Sequence, residues 1–322
     1  MENLRRVAKW PGAVELRREL RILWLMLASA SALQPSCASA QQPRAPEMTA
    51  EPTTRFVELD GLSIRVRVAR LDRQPGHPAL VLESGGSLPL ETWDPVLPEL
   101  ASLAAVVAYD RAGTGESEWD SLPPTPERVV GRLRRLLEHL GVQPPYLLIG
   151  HSWGGALTRY HAEAYPDDIA GILYIDPTDV TLTERDQIAM FESFGAGEAE
   201  YAAFTRLMET AMANAPGPMK SESDVILSIL RSDSETRGLF SAPELPTSVI
   251  VAGRVSSPPQ NLVPFDAERY TAAMHESQVR RLQTWVRGGG RFHIARNAGH
   301  IVHADDPRLV IDEVRQLLFA TR

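Results

Sequence analysis

Cysteine is almost absent from this chain of 322 residues: only Cys37 is present, and lysine occurs only at Lys9 and Lys220. A single cysteine cannot close a disulfide within the chain, so the redox state of the compartment bears little on the fold. Scarce lysine leaves arginine to carry the positive charge. That reads as genomic bias, because nothing in a packed core demands a guanidinium. Carboxylates outnumber the basic residues by 41 to 33, and the net charge of −8 argues against a nucleic-acid partner or an anionic membrane surface. Also missing are a phosphate loop, a dinucleotide fingerprint and a metal-ligand spacing, so neither a cofactor nor a metal is implied. No internal repeat occurs. What remains, 43% hydrophobic and 23% charged, can bury a sizeable core in one large domain or two smaller ones.

The first forty residues differ from the rest. Arg5, Arg6, Lys9, Arg17, Arg18 and Arg21 precede an apolar-leaning run from Ile22 to Leu33, and small residues follow, ending Ala38-Ser39-Ala40. A basic region, a short apolar region and an A-x-A site compose a secretory signal peptide over 1–40, cleaved after Ala40. The run is too short to span ~30 Å of hydrocarbon as a helix, so no stable membrane insertion is expected after cleavage. The competing reading is a buried or amphipathic N-terminal helix. A long basic region makes a translation start nearer Val14 a further hypothesis, and Leu33-Gln34-Pro35-Ser36-Cys37 matches a lipoprotein box poorly. Residues 41–54, rich in Pro, Gln, Thr and Ala, read as a flexible leader. A secreted or periplasmic protein is the expectation.

From Phe56 the pattern changes to strands. Phe56 to Leu59 and Leu62 to Leu71 flank Asp60-Gly61, a hairpin signal. Apolar runs of buried-strand length follow at 79–83, 104–109, 146–149, 169–175 and 248–252. Helical stretches alternate with them, near 93–102, 126–140, 155–165, 266–287 and 307–318. This alternation predicts an α/β fold with a mostly parallel central sheet flanked by helices, and an antiparallel edge from the hairpin. The core is assigned to 55–176 and 246–322. Residues 177–245 hold no convincing strand. There Met190, Phe191, Phe194, Tyr201, Phe204, Met208 and Met212 recur at helix-like spacing, which predicts a helical cap inserted after the sixth strand. That stripe serves to pack the cap, to line a pocket, or both.

The decisive segment is Tyr146-Leu147-Leu148-Ile149-Gly150-His151-Ser152-Trp153-Gly154-Gly155. An apolar strand ends in G-x-S-x-G and a helix begins at once. This context exposes a serine on a tight turn at a helix N-terminus, where developing negative charge is favoured. Ser152 is therefore the candidate nucleophile. The bland alternative is a structural serine in a strand-to-helix turn. A serine hydroxyl attacks only when a base accepts its proton, so a histidine is required nearby.

Four motifs in order resemble the α/β-hydrolase superfamily over nearly everything from Phe56 onward. They are Glu83-Ser84-Gly85-Gly86, where many members have His-Gly; the loop from Asp110 to Ser117, similar to D-R-x-G-x-G-x-S; the nucleophile elbow; and Asn297-Ala298-Gly299-His300 before Asp306-Pro307. The resemblance implies an α/β-hydrolase fold and His300 as general base, with His303 the near rival. His151, His161, His77, His139 and His293 are assigned no catalytic role. The commonest acid position, after the seventh strand, reads Gly253-Arg254-Val255-Ser256 and carries no carboxylate. The family's alternative location points to Asp176 as the acid that orients the imidazole. Asp179 is the runner-up, Asp266 a distant third, and a structural capping role for Asp176 stays open. Trp153 by position and Gly86 by resemblance would supply the backbone N–H groups of an oxyanion hole. Asp110 and Arg111 are read as bracing beneath the site, and Trp153 and Trp93 as packing more than substrate contacts.

The resemblance implies a serine hydrolase working through an acyl-enzyme, carboxylesterase-like first, with lactonase, thioesterase or small amidase also open. The apolar cap suggests a small-to-medium hydrophobic acyl or alcohol group in an ester-like molecule. Two other readings compete: a proline-iminopeptidase-like exopeptidase, with Glu184, Glu192 or Glu198 receiving a free amine, and a binding protein that has lost turnover. A metal at His300, His303, Asp305 and Asp306 is a superficial alternative. Substrate identity and oligomeric state stay open.

Overall fold

The computed structural model describes residues 51–72, 77–232 and 244–321. The signal-peptide reading over 1–40 and Cys37 lie outside them. Eight strands form one sheet in the order β1-β2-β4-β3-β5-β6-β7-β8. These are β1 (Thr53–Leu59), β2 (Leu62–Ala69), β3 (Ala79–Glu83), β4 (Val106–Tyr109), β5 (Tyr146–His151), β6 (Ile169–Ile175), β7 (Thr247–Ala252) and β8 (Phe292–Ala295). The β1–β2 and β2–β4 pairings are antiparallel; the remaining pairings are parallel.

The hairpin turns on Asp60 and Gly61, at φ 54° and 75°, the doubly positive backbone that matches strand twist. Strand β1 begins three residues before Phe56. Thr53 and Thr54, read from sequence as leader, pair with Val68 and Arg67, because β-branched threonines suit an extended edge.

Strands β3 to β7 are buried on both faces, which explains their unbroken apolar runs. Alternate residues feed two cores. Val81, Leu148, Tyr174 and Val251 face one side, packed by Leu133, Leu136 and Leu137 of α2 (Pro126–His139). Leu82, Ile149, Leu173 and Ile250 face the other, packed by Leu97 and Leu100 of α1 (Leu97–Leu103) and by Val310, Val314 and Leu317 of α9 (Pro307–Ala320), which follows the one-turn α8 (Val302–Asp305). Helix α2 starts where Thr125 accepts from the Arg128 N–H, and α9 where Asp306 accepts from the Leu309 N–H, each with proline in its first turn.

Two helices differ from expectation. The stretch near 93–102 divides into a 3₁₀ turn over Leu90–Trp93 and then α1, because Pro95 and Pro98 lack an N–H and fit only a first turn. The predicted 266–287 helix is α7 (Ala267–Leu282), followed by a 3₁₀ turn. Arg287 leaves the helix to exchange backbone hydrogen bonds with Thr247 at 3.0 and 3.2 Å.

Between β6 and β7 lie α4 (Glu184–Ser193), α5 (Glu198–Met212) and α6 (Gly217–Arg231). Phe191, Tyr201 and Phe265 form the buried centre of their contact with the body, with Phe194, Phe204 and Tyr270 packed around it. Ring centroids there lie 5.1–6.0 Å apart, many at steep interplanar angles, the range in which aromatic pairs attract beyond simple burial. No helix among the described residues is long and apolar enough to cross a membrane.

Candidate active site

Ser152 lies between β5 and α3 (Trp153–Ala164) with φ 53° and ψ −121°, a strained backbone that persists only where its surroundings enforce it. Glycines make room for it. A Cβ on Gly150 would stand 2.6 Å from the Gly154 carbonyl oxygen, and one on Gly154 2.1 Å from that of Glu83. The turn is held by the Ser152 N–H donating to Ile175 at 3.1 Å. The Ser152 carbonyl in turn accepts from the Gly155 and Thr178 N–H groups at 2.9 and 3.0 Å.

Asp176, the residue after β6, has φ 42° and is buried. Its Oδ2 accepts from His300 Nδ1 at 2.6 Å, while Oδ1 accepts from the Ala252 N–H at 3.1 Å and from Gln278 Nε2 at 3.2 Å. Three donors hold one carboxylate in place. The Nδ1–H tautomer this enforces leaves His300 Nε2 unprotonated, in the form that accepts a proton. Asp179 sits elsewhere, accepting from Arg281 Nε at 2.7 Å and from the Thr181 N–H. Asp266 caps α7.

The remaining histidines of the region are committed. His303 is buried, stacks on Trp93 with centroids 4.3 Å apart, and lies 2.9 Å from Thr92 Oγ1. Burial and the nearby His300 push its pKa down to about 3. His151 donates from Nε2 to the His300 carbonyl at 2.8 Å, and burial holds it neutral. It supports the His300 loop from below. His293 and His275 bond Glu313 and the Ala252 carbonyl. Among the described residues no group of three metal-ligating side chains occurs.

Ser152 and His300 line one cavity of about 350 Å³. Its walls are mostly apolar, with Phe191, Tyr201, Phe204, Met208 and Met212 from the inserted helices and Ile226 and Leu227 of α6, while Glu222 and Arg231 of α6 also border it. Phe194 belongs to the aromatic cluster instead. The Met and aromatic stripe thus divides between packing and lining, and Met190, Phe191, Tyr201 and Phe204 do both. Trp153 is buried and also lines the cavity. Trp93 does not; its Nε1 donates to Ser84 Oγ at 3.0 Å.

Gly86 and Trp153 are brought together: a Cβ on Gly86 would lie 3.8 Å from that of Trp153. Trp153 opens α3, where the leading N–H groups lack helical partners. Arg111 lies beneath this corner and is buried. It donates to the Ser84 and Gly85 carbonyls at 2.7 Å each, to Glu83 at 2.8 Å and to Glu222 of α6 at 2.8 and 3.0 Å. Burial opposes the Arg111 cation, but the two carboxylates outweigh it and raise its pKa.

Glu222 is the residue the sequence reading missed. A signal exists: Glu222 falls on the same helical stripe as Val225, Ile226 and Ile229, three, four and seven positions on, so a charge interrupts an apolar face.

Comparisons with known proteins bear on the family and the fold. The model of the alpha/beta hydrolase family matches residues 80–313. An esterase of Mycobacterium tuberculosis is 25% identical over 256 residues, 75% of this chain and 83% of that protein. Protein YqjL of Bacillus subtilis is 35% identical over 98 residues, which is 30% of this chain and only 39% of that protein. Among solved structures, the epoxide hydrolase CorEH superposes with a TM-score of 0.59 at 20% identity, covering 84% of this chain and all of that one. At that identity the likeness carries the fold alone. The family match spans most of the chain: this protein belongs to the alpha/beta hydrolase family.

Proposed function

We propose that the chain is a serine hydrolase that cleaves an ester-like bond through an acyl-enzyme on Ser152. In this reading Ser152 Oγ adds to the substrate carbonyl carbon as His300 Nε2 takes its proton. Asp176 holds the imidazole in the required tautomer and stabilises the imidazolium. The carbonyl oxygen becomes an oxyanion between the Gly86 and Trp153 N–H groups. Collapse expels the alcohol, which takes the proton from His300. Water then attacks the acyl group with His300 again as base, releasing the acid and restoring Ser152.

One observation carries the reading: Asp176 Oδ2 is 2.6 Å from His300 Nδ1, and His300 shares an apolar cavity with Ser152. The acid missing after β7 is supplied in this scheme from the end of β6. Apolar walls favour a small molecule with an uncharged hydrocarbon acyl or alcohol group. We read α4 to α6 as the cap that forms those walls. Glu184, Glu192 and Glu198 are exposed and do not line the cavity, so these three carboxylates lend no support to the aminopeptidase reading. The basic and apolar N-terminus supports export, to the periplasm or outside the cell. A fluorophosphonate probe tests the core of the proposal. Labelling of Ser152, lost in Ser152→Ala, supports it, and an unlabelled folded protein contradicts it.

A further inference from the structure

The peptide joining Gly85 to Gly86 has one end held by a cation. Arg111 Nη2 donates to the Gly85 carbonyl at 2.7 Å, and a planar trans peptide then fixes the opposite direction for the Gly86 N–H. The neighbouring groups are held as well. Arg111 Nη1 donates to the Ser84 carbonyl, and the Ser87 N–H and Oγ both donate to Glu222 Oε2. Ser87 has φ 54°, a backbone an L residue adopts under constraint.

Arg111 depends on its own partners. Two carboxylates grip it: Glu83 from the end of β3, and Glu222 from α6, 111 residues later in the chain. Glu222 is the only residue of the three inserted helices that reaches both Arg111 and the Ser84–Ser87 loop among the hydrogen bonds of the described residues. It also borders the cavity that holds Ser152. Its oxygens are divided, Oε1 to Arg111 and Oε2 to Ser87, so one side chain fixes the loop from both directions. Glu83 is further tied by the Tyr109 hydroxyl at 2.6 Å, which leaves Glu222 as the partner contributed from outside the sheet.

We propose that Glu222 is a positioning residue for the oxyanion hole: by clamping Arg111 and Ser87 it aims the Gly86 N–H at the developing oxyanion. The inference rests on the serine-hydrolase reading above. It makes completion of the hole depend on docking of α6. A helix shifted off the sheet would release Ser87 and half of the Arg111 grip while leaving the His300–Asp176 bond in place. Loss of one oxyanion donor typically costs about 10²–10³ in kcat. A donor that is present but poorly aimed costs less, on the order of 10–100-fold.

The test uses the full chain with Glu222→Gln and Glu222→Asp, and with Lys220→Ala on the same helix as a control. Steady-state ester hydrolysis is measured beside inhibition by an alkyl trifluoromethyl ketone, which forms an oxyanion on Ser152, and by its inert methyl ketone analogue. Folded Glu222→Gln is expected to lose on the order of 10–100-fold in kcat with KM within about threefold. Trifluoromethyl ketone affinity falls in parallel, methyl ketone affinity does not, and Lys220→Ala matches wild type. Unchanged kcat, or a rise in KM alone, overturns the proposal. If Glu222→Gln does not fold, Glu222→Asp keeps the charge on Arg111 but withdraws from Ser87, and the same split decides the matter. Full turnover in Ser152→Ala would instead sink the nucleophile reading, an outcome distinct from any result at Glu222.

Discussion

Asp176 and His300 stand 124 positions apart in the chain and 2.6 Å apart in the fold. The sheet makes the meeting possible. Strand β6 runs parallel to β7, and β7 to β8, so the residues after β6 and β8 leave the same edge. The Asp176 N–H donates to the Ile250 carbonyl at 2.7 Å and its Oδ1 accepts from the Ala252 N–H, which seats this carboxylate on the end of β7.

Replacing Asp176 by asparagine is expected to cut kcat by about 10³–10⁴-fold, because an amide no longer enforces the Nδ1–H tautomer. Asp179→Asn is expected to leave kcat within about threefold and to lower stability by about 1–3 kcal/mol, since it breaks the Arg281 bond. Rate assays and thermal melts on both variants check the assignment. Equal losses of activity would contradict it.

Buried neutral histidines make acid destabilising. Burial lowers His161 to about 4 and His303 to about 3, against about 6.5 in the unfolded chain. Between those values the unfolded state binds more protons, so stability rises with pH through that window and falls on acidification below about 6.5. His161 alone then costs about 2 kcal/mol at pH 5. Among the described residues neither His161 ring nitrogen has a hydrogen-bond partner, and His161 does not line the cavity. His161→Phe is therefore expected to reduce the slope of melting temperature against pH between pH 5 and 7, leaving the part due to His303, while retaining turnover. An unchanged slope in thermal melts would refute the assignment.

The apolar walls set a length limit. Met208 of α5 lines the cavity, and Met208→Trp would fill part of it. Hydrolysis of octanoyl and longer esters is expected to drop at least about tenfold, about 1.4 kcal/mol, with acetate little changed. Uniform loss across chain lengths would argue that Met208 only packs the helices.

Export is checked directly. N-terminal sequencing of the protein recovered outside the cytoplasm should begin at Gln41, and an intact Met1 would contradict the signal reading.

The elbow and the parallel sheet were legible because both are local. Unbroken apolar runs and G-x-S-x-G depend on neighbouring residues, and they place Ser152 between β5 and α3 unaided. His300 was legible through the Gly299-His300 loop. Glu222 was not, because its partners Arg111 and Ser87 are more than 100 residues away and an acidic residue on a helix ordinarily faces water. Pro95 and Pro98, which set the start of α1, are local signals visible in the sequence that the predicted 93–102 helix did not use. Division of the aromatic stripe into packing and lining is a tertiary property that helical periodicity alone leaves open.

The most direct measurement is hydrolysis of p-nitrophenyl esters from acetate to decanoate by the chain from Gln41, with Ser152→Ala in parallel. The account predicts turnover by wild type with an optimum set by the apolar cavity, and its abolition in the folded serine variant. Turnover that persists undiminished in Ser152→Ala would contradict it.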